Sequence, residues 1–317
     1  MSVSAILTCH NEEAFVEQAV MSVVGQTAYD RISEIIVVND GSNDGSQKLL
    51  ERLAERIPKL RIVVTPGLGL PAARNEAIGY CSGEFIAILD GDDFWTPEKI
   101  ERQIKAFALS PEIGLVYSDF YDFTDPQALD ARLIPVRRYR WSEGLPLAAY
   151  FVHDAPIIPS TAVLRRAVFD TVGLFDPEVR LGEDTEMFLR VAEKWRFEHV
   201  PGGFVYKRRH GSNLTRRLEP LLAVAGTLTE KFIERNPELA RLASKRMARR
   251  FAATANDCSK HGERAKALSY LWQSFRSDPI FLRGYGYLVL IFLPSRAGTK
   301  LRHMVRGILR LPSKSPS

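Results

Sequence analysis

Cysteine is scarce. The chain has three in 317 residues, Cys9, Cys81 and Cys258, far apart and without metal-ligand spacing. That excludes a disulfide framework or a zinc site as an organising element, and it makes a reducing cytoplasm the expected compartment. Long apolar runs are missing too. The longest, "YLVLIFL" from Tyr287 to Leu293, falls far short of the ~20 residues that cross a bilayer, so no transmembrane helix is expected. The first residues enter "SVSAILTCHNEE" directly, a strand and then a polar loop, with neither the basic start nor the apolar core of a signal peptide. Internal repeats are not evident. Neither sign of charge dominates, for the net charge is +5. Lysine and arginine do gather toward the C-terminus, which points to an acidic partner such as a phosphorylated ligand or an anionic membrane face. Nucleic acid has no specific support and is not an expected partner.

What is present is a composition of 45% hydrophobic and 26% charged residues, that of a globular chain with one large domain or two smaller ones. Strand and helix patterns alternate over the first 120 residues. Strands are expected at Val3–Thr8, "SEIIVVN", "LRIVVT", "EFIAIL" and "IGLVYS", with helices at about 13–26, 43–57, 71–81 and 97–109. The strands are continuously apolar, which means that both faces of the sheet are covered. The expected fold is α/β, a mostly parallel, doubly wound sheet whose ligands bind beyond the strands' C-terminal ends. Residues 120–160 lose the pattern and suggest an irregular excursion over the site. Beyond residue 217 the chain reads as helical. It ends in "KLRHMVRGILRL", which sets Leu301, Met304, Val305 and Ile308 on one face and Arg302, Arg306 and Arg310 outside it. Such a helix suits an anionic membrane, and equally a solubilising helix packed on the domain.

Polar clusters fall where the strands end. In "FIAILDGDDFW" the apolar run stops at Asp90, Asp92 and Asp93. Two such charges ~4 Å apart repel by roughly 4 kcal/mol at an effective dielectric near 20, so a compensating cation is expected. Carboxylate oxygens suit Mg²⁺ or Mn²⁺, which commonly bridge to phosphates. A turn with a capping Asp explains Thr96-Pro97-Glu98 but not the three aspartates before it. "NDGSNDGS", Asn39–Ser46, is turn-like by composition, yet at a strand end Asp40 is free to meet a base or ribose. Arg74 near the front of its helix suits phosphate oxygens. The Glu183-Asp184 pair opens a helix. Periodicity puts Asp184 on a stripe with Phe188, Val191 and Trp195, and Glu183 with Met187, Arg190 and Lys194. An inward Asp184 with a raised pKa would serve as a general base. The basic run "KRRHGSNLT" after a strand could close over a diphosphate, with His210 near a metal.

Taken in order, "TCHNEEAFVEQAVMSVVGQT", "IIVVNDGSNDGS", "GLPAARNEAIGYCSGEFIAILDGDDFWTPEKIERQI" and "VGLFDPEVRLGEDTEMFLRVA" resemble the family 2 glycosyltransferases, inverting enzymes of the GT-A fold. The resemblance covers about residues 1–215. It implies a catalytic domain over 1–217, with a nucleotide-sugar half to about 120 and an acceptor half after it; the helical region over 218–317, with its basic amphipathic tail, is read from the pattern and matches no signature of the family. It also implies a nucleotide-sugar donor, UDP-linked by preference, and a saccharide or lipid-linked acceptor in cell-envelope polysaccharide or glycolipid synthesis. Thr8, Glu12 and Asp40 would line the nucleotide, Arg74 the phosphates, and Asp90 and Asp92, as a DXD motif, the ribose and metal. Asp92 and secondarily His210 are the candidate ligands of Mg²⁺ or Mn²⁺. Asp184 would be the base, supported by Glu183. Asn39 stands where many members carry aspartate. A sugar nucleotidyltransferase would need a glycine-rich loop after the first strand, and "TCHNEEAF" has no glycine. A silent carbohydrate-binding protein would have little use for an inward Asp184.

Overall fold

The structure is a computed structural model that describes residues 1–124, 127, 129–136, 146–153, 157–211 and 217–292. In its first part, β1 (Val3–Cys9), α1 (Val16–Val24), β2 (Ile32–Asp40), α2 (Ser46–Ala54), β3 (Leu60–Thr65), α3 (Leu70–Gly79) and β4 (Phe85–Asp90) alternate. β1 is buried along its length and β4 until Asp90 emerges, as strands covered on both faces must be. α1 buries Val16, Ala19, Val20 and Val23, the one-sided stripe of a helix on a sheet. The four strands run parallel in the order β3-β2-β1-β4. The chain starts at the centre, walks out to β3 and returns to the far side of β1. That reversal puts a topological switch point between β1 and β4, where strand ends diverge and open a crevice. Thr8 and Asp90 pair across this seam, and Asp40 ends β2 on its other flank.

Next come β5 (Phe94–Trp95), α4 (Lys99–Ala106), β6 (Ile113–Phe123), β7 (Arg132–Ile134), α5 (Leu147–His153), β8 (Val163–Arg165), α6 (Ala167–Val172), α7 (Glu183–Lys194) and β9 (Arg196–Arg208). β8 runs antiparallel to β4 and β6, β5 to β9 and β7 to β6, whereas β9 is parallel to β6. Nine strands among the described residues thus form one sheet, β3-β2-β1-β4-β8-β6-β9-β5 with β7 beside β6. Its first half has the expected parallel winding, and its second half is mixed. The reversed strands β5, β7 and β8 are two or three residues long, too short to show a period in sequence. Lys207 and Arg208, expected in a loop, complete β9.

The chain divides into two compact units, Met1–Tyr150 with Asp154–Asn213, and Phe151–His153 with Leu214–Ser317. The second is built from α8 (Glu219–Arg235), α9 (Ala243–Lys260), α10 (Arg264–Ser277) and α11 (Leu282–Phe292). Ala252, Ala255, Cys258, Ala267, Leu271 and Ile291 form a core there. The wholly buried Arg246 donates from Nε to Thr229 Oγ1 at 2.9 Å and from Nη1 to the Phe151 carbonyl at 2.6 Å. No described helix is long and apolar enough to cross a membrane. The basic face expected at 301–310 and the end of the "KRRHGSNLT" run lie outside the described residues.

Candidate active site

Two loops interlock beyond β1 and β2. Asn11, the one non-glycine residue with positive φ among those described (57°), accepts from the Asn43 amide and donates its own amide to Ser42 Oγ. The Glu12 amide donates to Ser46 Oγ and the Glu13 amide to Asp44 Oδ2. These bonds aim the Glu12 side chain toward the β4 turn. Gly91 has no room for a side chain: a Cβ there would meet Glu12 Oε2 at 1.9 Å and the Thr8 carbonyl at 2.7 Å. Glu12 Oε2 is buried without a hydrogen-bond partner among the described residues. Burial, and then Asp92, Asp90, Asp93 and Asp44, push the Glu12 carboxyl well above its ordinary range.

Asp40 is placed differently from its expected contact with a base. Its Oδ1 accepts from Thr65 Oγ1 and the Leu68 amide, both at 2.6 Å, and its Oδ2 from the Gly69 amide at 2.8 Å. Burial raises its pKa, but these donors outweigh burial and leave the carboxyl low. Asp40 therefore acts by shaping the loop after β3, where Gly67 and Gly69 both have positive φ. The three aspartates of the β4 turn also separate. Asp93 is buried and structural, accepting from Ser160 Oγ at 2.7 Å and from the Arg208 amide at 2.9 Å. Asp92 Oδ2, expected as a metal ligand with His210, lies 2.8 Å from His210 Nε2 and is hydrogen-bonded to it directly. Burial and Asp90 raise the Asp92 pKa, and His210 and Lys207 oppose them.

Arg74 has the largest difference between expectation and geometry. It is 1% exposed, and Nη2 contacts Asp90 Oδ1 while Nη1 contacts Glu183 Oε1, each at 2.7 Å. Expected at the phosphates, the guanidinium here pairs with these two carboxylates. It joins the end of β4 to the start of α7, and so to Asp184. The stripe expected on α7 is not a discriminating feature of the helix. This helix buries Met187, Phe188, Leu189, Arg190, Val191 and Ala192, so no single face is solvent. Glu183 is the more buried of the acidic pair and Asp184 the more open. Burial, then Asp184, push Glu183 up to about 7 against the pull of Arg74. Burial also raises Asp184, with Arg74, the Thr185 amide and Lys207 opposing.

Ser160, Lys207 and Arg208 escaped the sequence reading as individuals. Ser160 holds Asp93 and the Asp90 amide, and its carbonyl accepts from the Trp95 indole. Arg208 donates from Nε to the Asp92 carbonyl at 3.1 Å, between the rings of Phe15 and Phe123. Lys207 bears on Asp92, Asp93 and Asp184 together. Its only sequence signal is its place in the basic run.

No three ligand atoms of Glu12, Asp90, Asp92 and His210 lie within 4.8 Å of one another among the described residues. Glu219, Cys258 and Glu263 do meet that criterion in the helical unit. Arg217 already occupies the centre of that group, with Nη2 at 2.8 Å from Glu263 and 3.1 Å from Glu219, which makes it an ion-pair network.

The model of the family described as glycosyl transferase family 2 matches residues 4–173. The chain belongs to glycosyl transferase family 2. The match spans Thr8, Glu12, Asp40, Arg74, Asp90 and Asp92 and ends before α7 and β9, so Glu183, Asp184, Lys207 and His210 lie outside the matched range. Among the curated relatives is an uncharacterized glycosyltransferase of Nostoc sp., 29% identical over 67% of this chain and 66% of its own. The chondroitin synthase of Pasteurella multocida is 25% identical over 67% of this chain and 21% of its own. The chain thus spans just under two thirds of the one and about a fifth of the other. Among solved structures, S. aureus TarS 1–349 in complex with UDP-GlcNAc superposes with a TM-score of 0.63 at 16% identity, covering 87% of this chain and 81% of that one. That likeness shows a GT-A glycosyltransferase fold, the fold expected of the family 2 chain.

Proposed function

We propose that this family 2 glycosyltransferase moves a sugar with inversion from a UDP-linked donor to an acceptor hydroxyl, with Asp184 as the general base. The UDP preference is supported by the TarS complexes with UDP-GlcNAc and with UDP. A role in polysaccharide synthesis is supported by relatives named chondroitin synthase and hyaluronan synthase, and we extend the acceptor to a saccharide or lipid-linked saccharide of the cell envelope. What carries the assignment is the Asp90–Arg74–Glu183 chain. It fastens the acidic pair of α7 to the switch point, beside Asp92, Glu12 and the loop that Asp40 holds. Asp184 takes the proton of the acceptor hydroxyl as its oxygen attacks the anomeric carbon. The bond to the nucleoside diphosphate breaks on the opposite face, so an α-linked donor gives a β-linked product. A carboxylate raised by burial is a better base near neutral pH than an exposed one. Glu183, held by Arg74, positions Asp184 and keeps negative charge beside it.

Although its ligand atoms are not gathered within 4.8 Å of one another among the described residues, the acidic knot has the donor chemistry that Mg²⁺ or Mn²⁺ takes. Its donors are carboxylate oxygens and one imidazole, and Glu12 Oε2 is a buried oxygen with no partner among the described residues. Asp92 with His210 would hold the ion, which when bound supplies Lewis-acid stabilisation of the departing diphosphate. Asp184→Asn tests the reading: transfer from UDP-hexoses should fall about 10²–10⁴-fold while UDP affinity, by calorimetry, stays within about twofold. Normal turnover in that variant removes Asp184 from the mechanism.

A further inference from the structure

Helix α11 is apolar on both of its faces. Gly284, Leu290 and Ile291 are buried, and Tyr287 and Leu288 pack against the core that α9 and α10 share. Opposite them Leu282, Tyr285, Val289 and Phe292 recur at three- and four-residue intervals and stand 78%, 46%, 51% and 68% exposed. Trp272 of α10, one turn before Phe275, is 65% exposed, and the Phe275 ring lies 4.5 Å from that of Tyr285. α9 shows an ordinary solvent face, with Ser244, Lys245 and Lys260 outward. α11 has one charged residue, Arg283. A helix apolar all round belongs in a buried setting, and a continuous exposed patch of this kind marks a surface that meets a partner.

Charge identifies the partner. Every charged residue after Phe292, from Arg296 to Lys314, is Lys or Arg, with no Asp or Glu among them. Beside the patch Arg276 and Arg283 outnumber the one acid between them in sequence, Asp278, whose Oδ1 accepts from the Ile280 amide. We propose that the outer face of α11, together with Trp272, seats in the interfacial layer of an anionic lipid bilayer, a lipid charge that the all-basic sequence after it complements. The 11 residues of α11 span roughly 16 Å at 1.5 Å per residue, about half the ~30 Å hydrocarbon core, so the helix lies along the surface. Aromatic residues with polar tips, such as Trp272 and Tyr285, suit that depth. A second copy of the chain would instead bring two all-basic segments together and pay for their repulsion. The surface is independent of the transfer reaction, so its test does not depend on the donor or on Asp184.

The full chain is pelleted with phosphatidylcholine vesicles and with vesicles in which roughly a third of the lipid is phosphatidylglycerol. Binding is expected on the anionic vesicles alone. Both Val289 and Phe292 are exposed, so the double variant Val289→Asn/Phe292→Ser should keep its circular dichroism and melting temperature while its partition weakens at least about tenfold. Equal partition of variant and parent overturns the proposal, as does failure to pellet with the anionic vesicles. A dimer in sedimentation velocity that the variant dissociates also overturns it. The Val289→Cys variant should react with a maleimide in the absence of lipid and be protected by the anionic vesicles. Protection without lipid would mean that the chain's own basic segment covers α11, which again overturns the proposal.

Discussion

Replacing Arg74 with methionine would remove the one group that compensates two carboxylates at the switch point. Arg74 is wholly buried and meets Asp90 and Glu183 at 2.7 Å each. Asp90 is partly exposed and can turn to water, but Glu183 is buried, and deleting the partner of a buried charge costs about 3–5 kcal/mol. For a domain of 150–250 residues each kcal/mol moves Tm by about 2–4 °C, which gives a fall of roughly 6–20 °C. The pH dependence has a definite sign. Glu183 is already pushed up to about 7, first by burial and then by Asp184, with Arg74 the main opposing influence. A carboxyl whose folded pKa is raised favours the fold fully below its unfolded value, and that contribution is lost as pH climbs through the folded value. Without Arg74 the folded value climbs further. Glu183 then takes a proton, which relieves the uncompensated charge, so the variant's deficit should be smallest near about pH 5 and largest near about pH 8. Differential scanning fluorimetry of parent and variant across that range reads both quantities. Adding Glu183→Gln should recover part of the loss, because it removes one of the two stranded charges. A Tm within about 2 °C of the parent at every pH would refute the buried ion chain and the link it makes between β4 and α7.

Two further outcomes follow from the same electrostatics. Asp92→Ala should abolish the Mn²⁺ stimulation of UDP binding in calorimetry, and undiminished stimulation would remove Asp92 from the ligand set. Lys99 is fully buried over the Trp95 ring at 4.2 Å, and its Nζ has no hydrogen-bond partner among the described residues. Burial drives its pKa well below the ordinary lysine value, a penalty that grows as pH falls below 10.5 and eases as pH rises. Lys99→Met should therefore stabilise the protein by about 1–3 kcal/mol, with the larger gain at acid pH, and a lowered Tm would contradict this.

The legible parts of the molecule were those whose signal is local. The continuous apolar strands and the acids at their ends follow from neighbours in sequence, and β1 to β4 lie where periodicity put them. Asp93 could not be separated from Asp90 and Asp92, because its partners Ser160 and Arg208 come 67 and 115 residues later. The Arg74 ion pairs are not legible in sequence, because one of its two partners lies 109 residues away, on a helix whose packing no local pattern gives. The stripe assigned to Asp184 assumed that α7 has one buried face, and an almost wholly enclosed helix gives that assumption nothing to act on. Asp40 was visible as an acid at a strand end, but the loop that occupies it was not.

The buried acids of the first unit divide by what surrounds them. Asp40 and Asp119 are buried, yet both are held below their ordinary range by converging donors: Thr65, Leu68 and Gly69 for the first, His199, Val136 and Gly202 for the second. Those two are finished parts of the fold. Glu12, Asp92, Glu183 and Asp184 are all raised, burial being the largest cause in each, and Arg74, Lys207 and His210 offset it only in part. A diphosphate entering beside such a group would add negative charge to an existing excess. The proposed donor therefore requires a cation, protonation, or both, and these alternatives respond oppositely to pH. Protonation makes UDP bind better as pH falls. A divalent cation makes it bind better as pH rises through the range in which Asp92 and Glu12 ionise, because deprotonated oxygens are the better ligands. UDP affinity measured against pH, with Mn²⁺ and with chelator, should slope in opposite directions, and parallel slopes would mean that the acidic knot does not engage a metal.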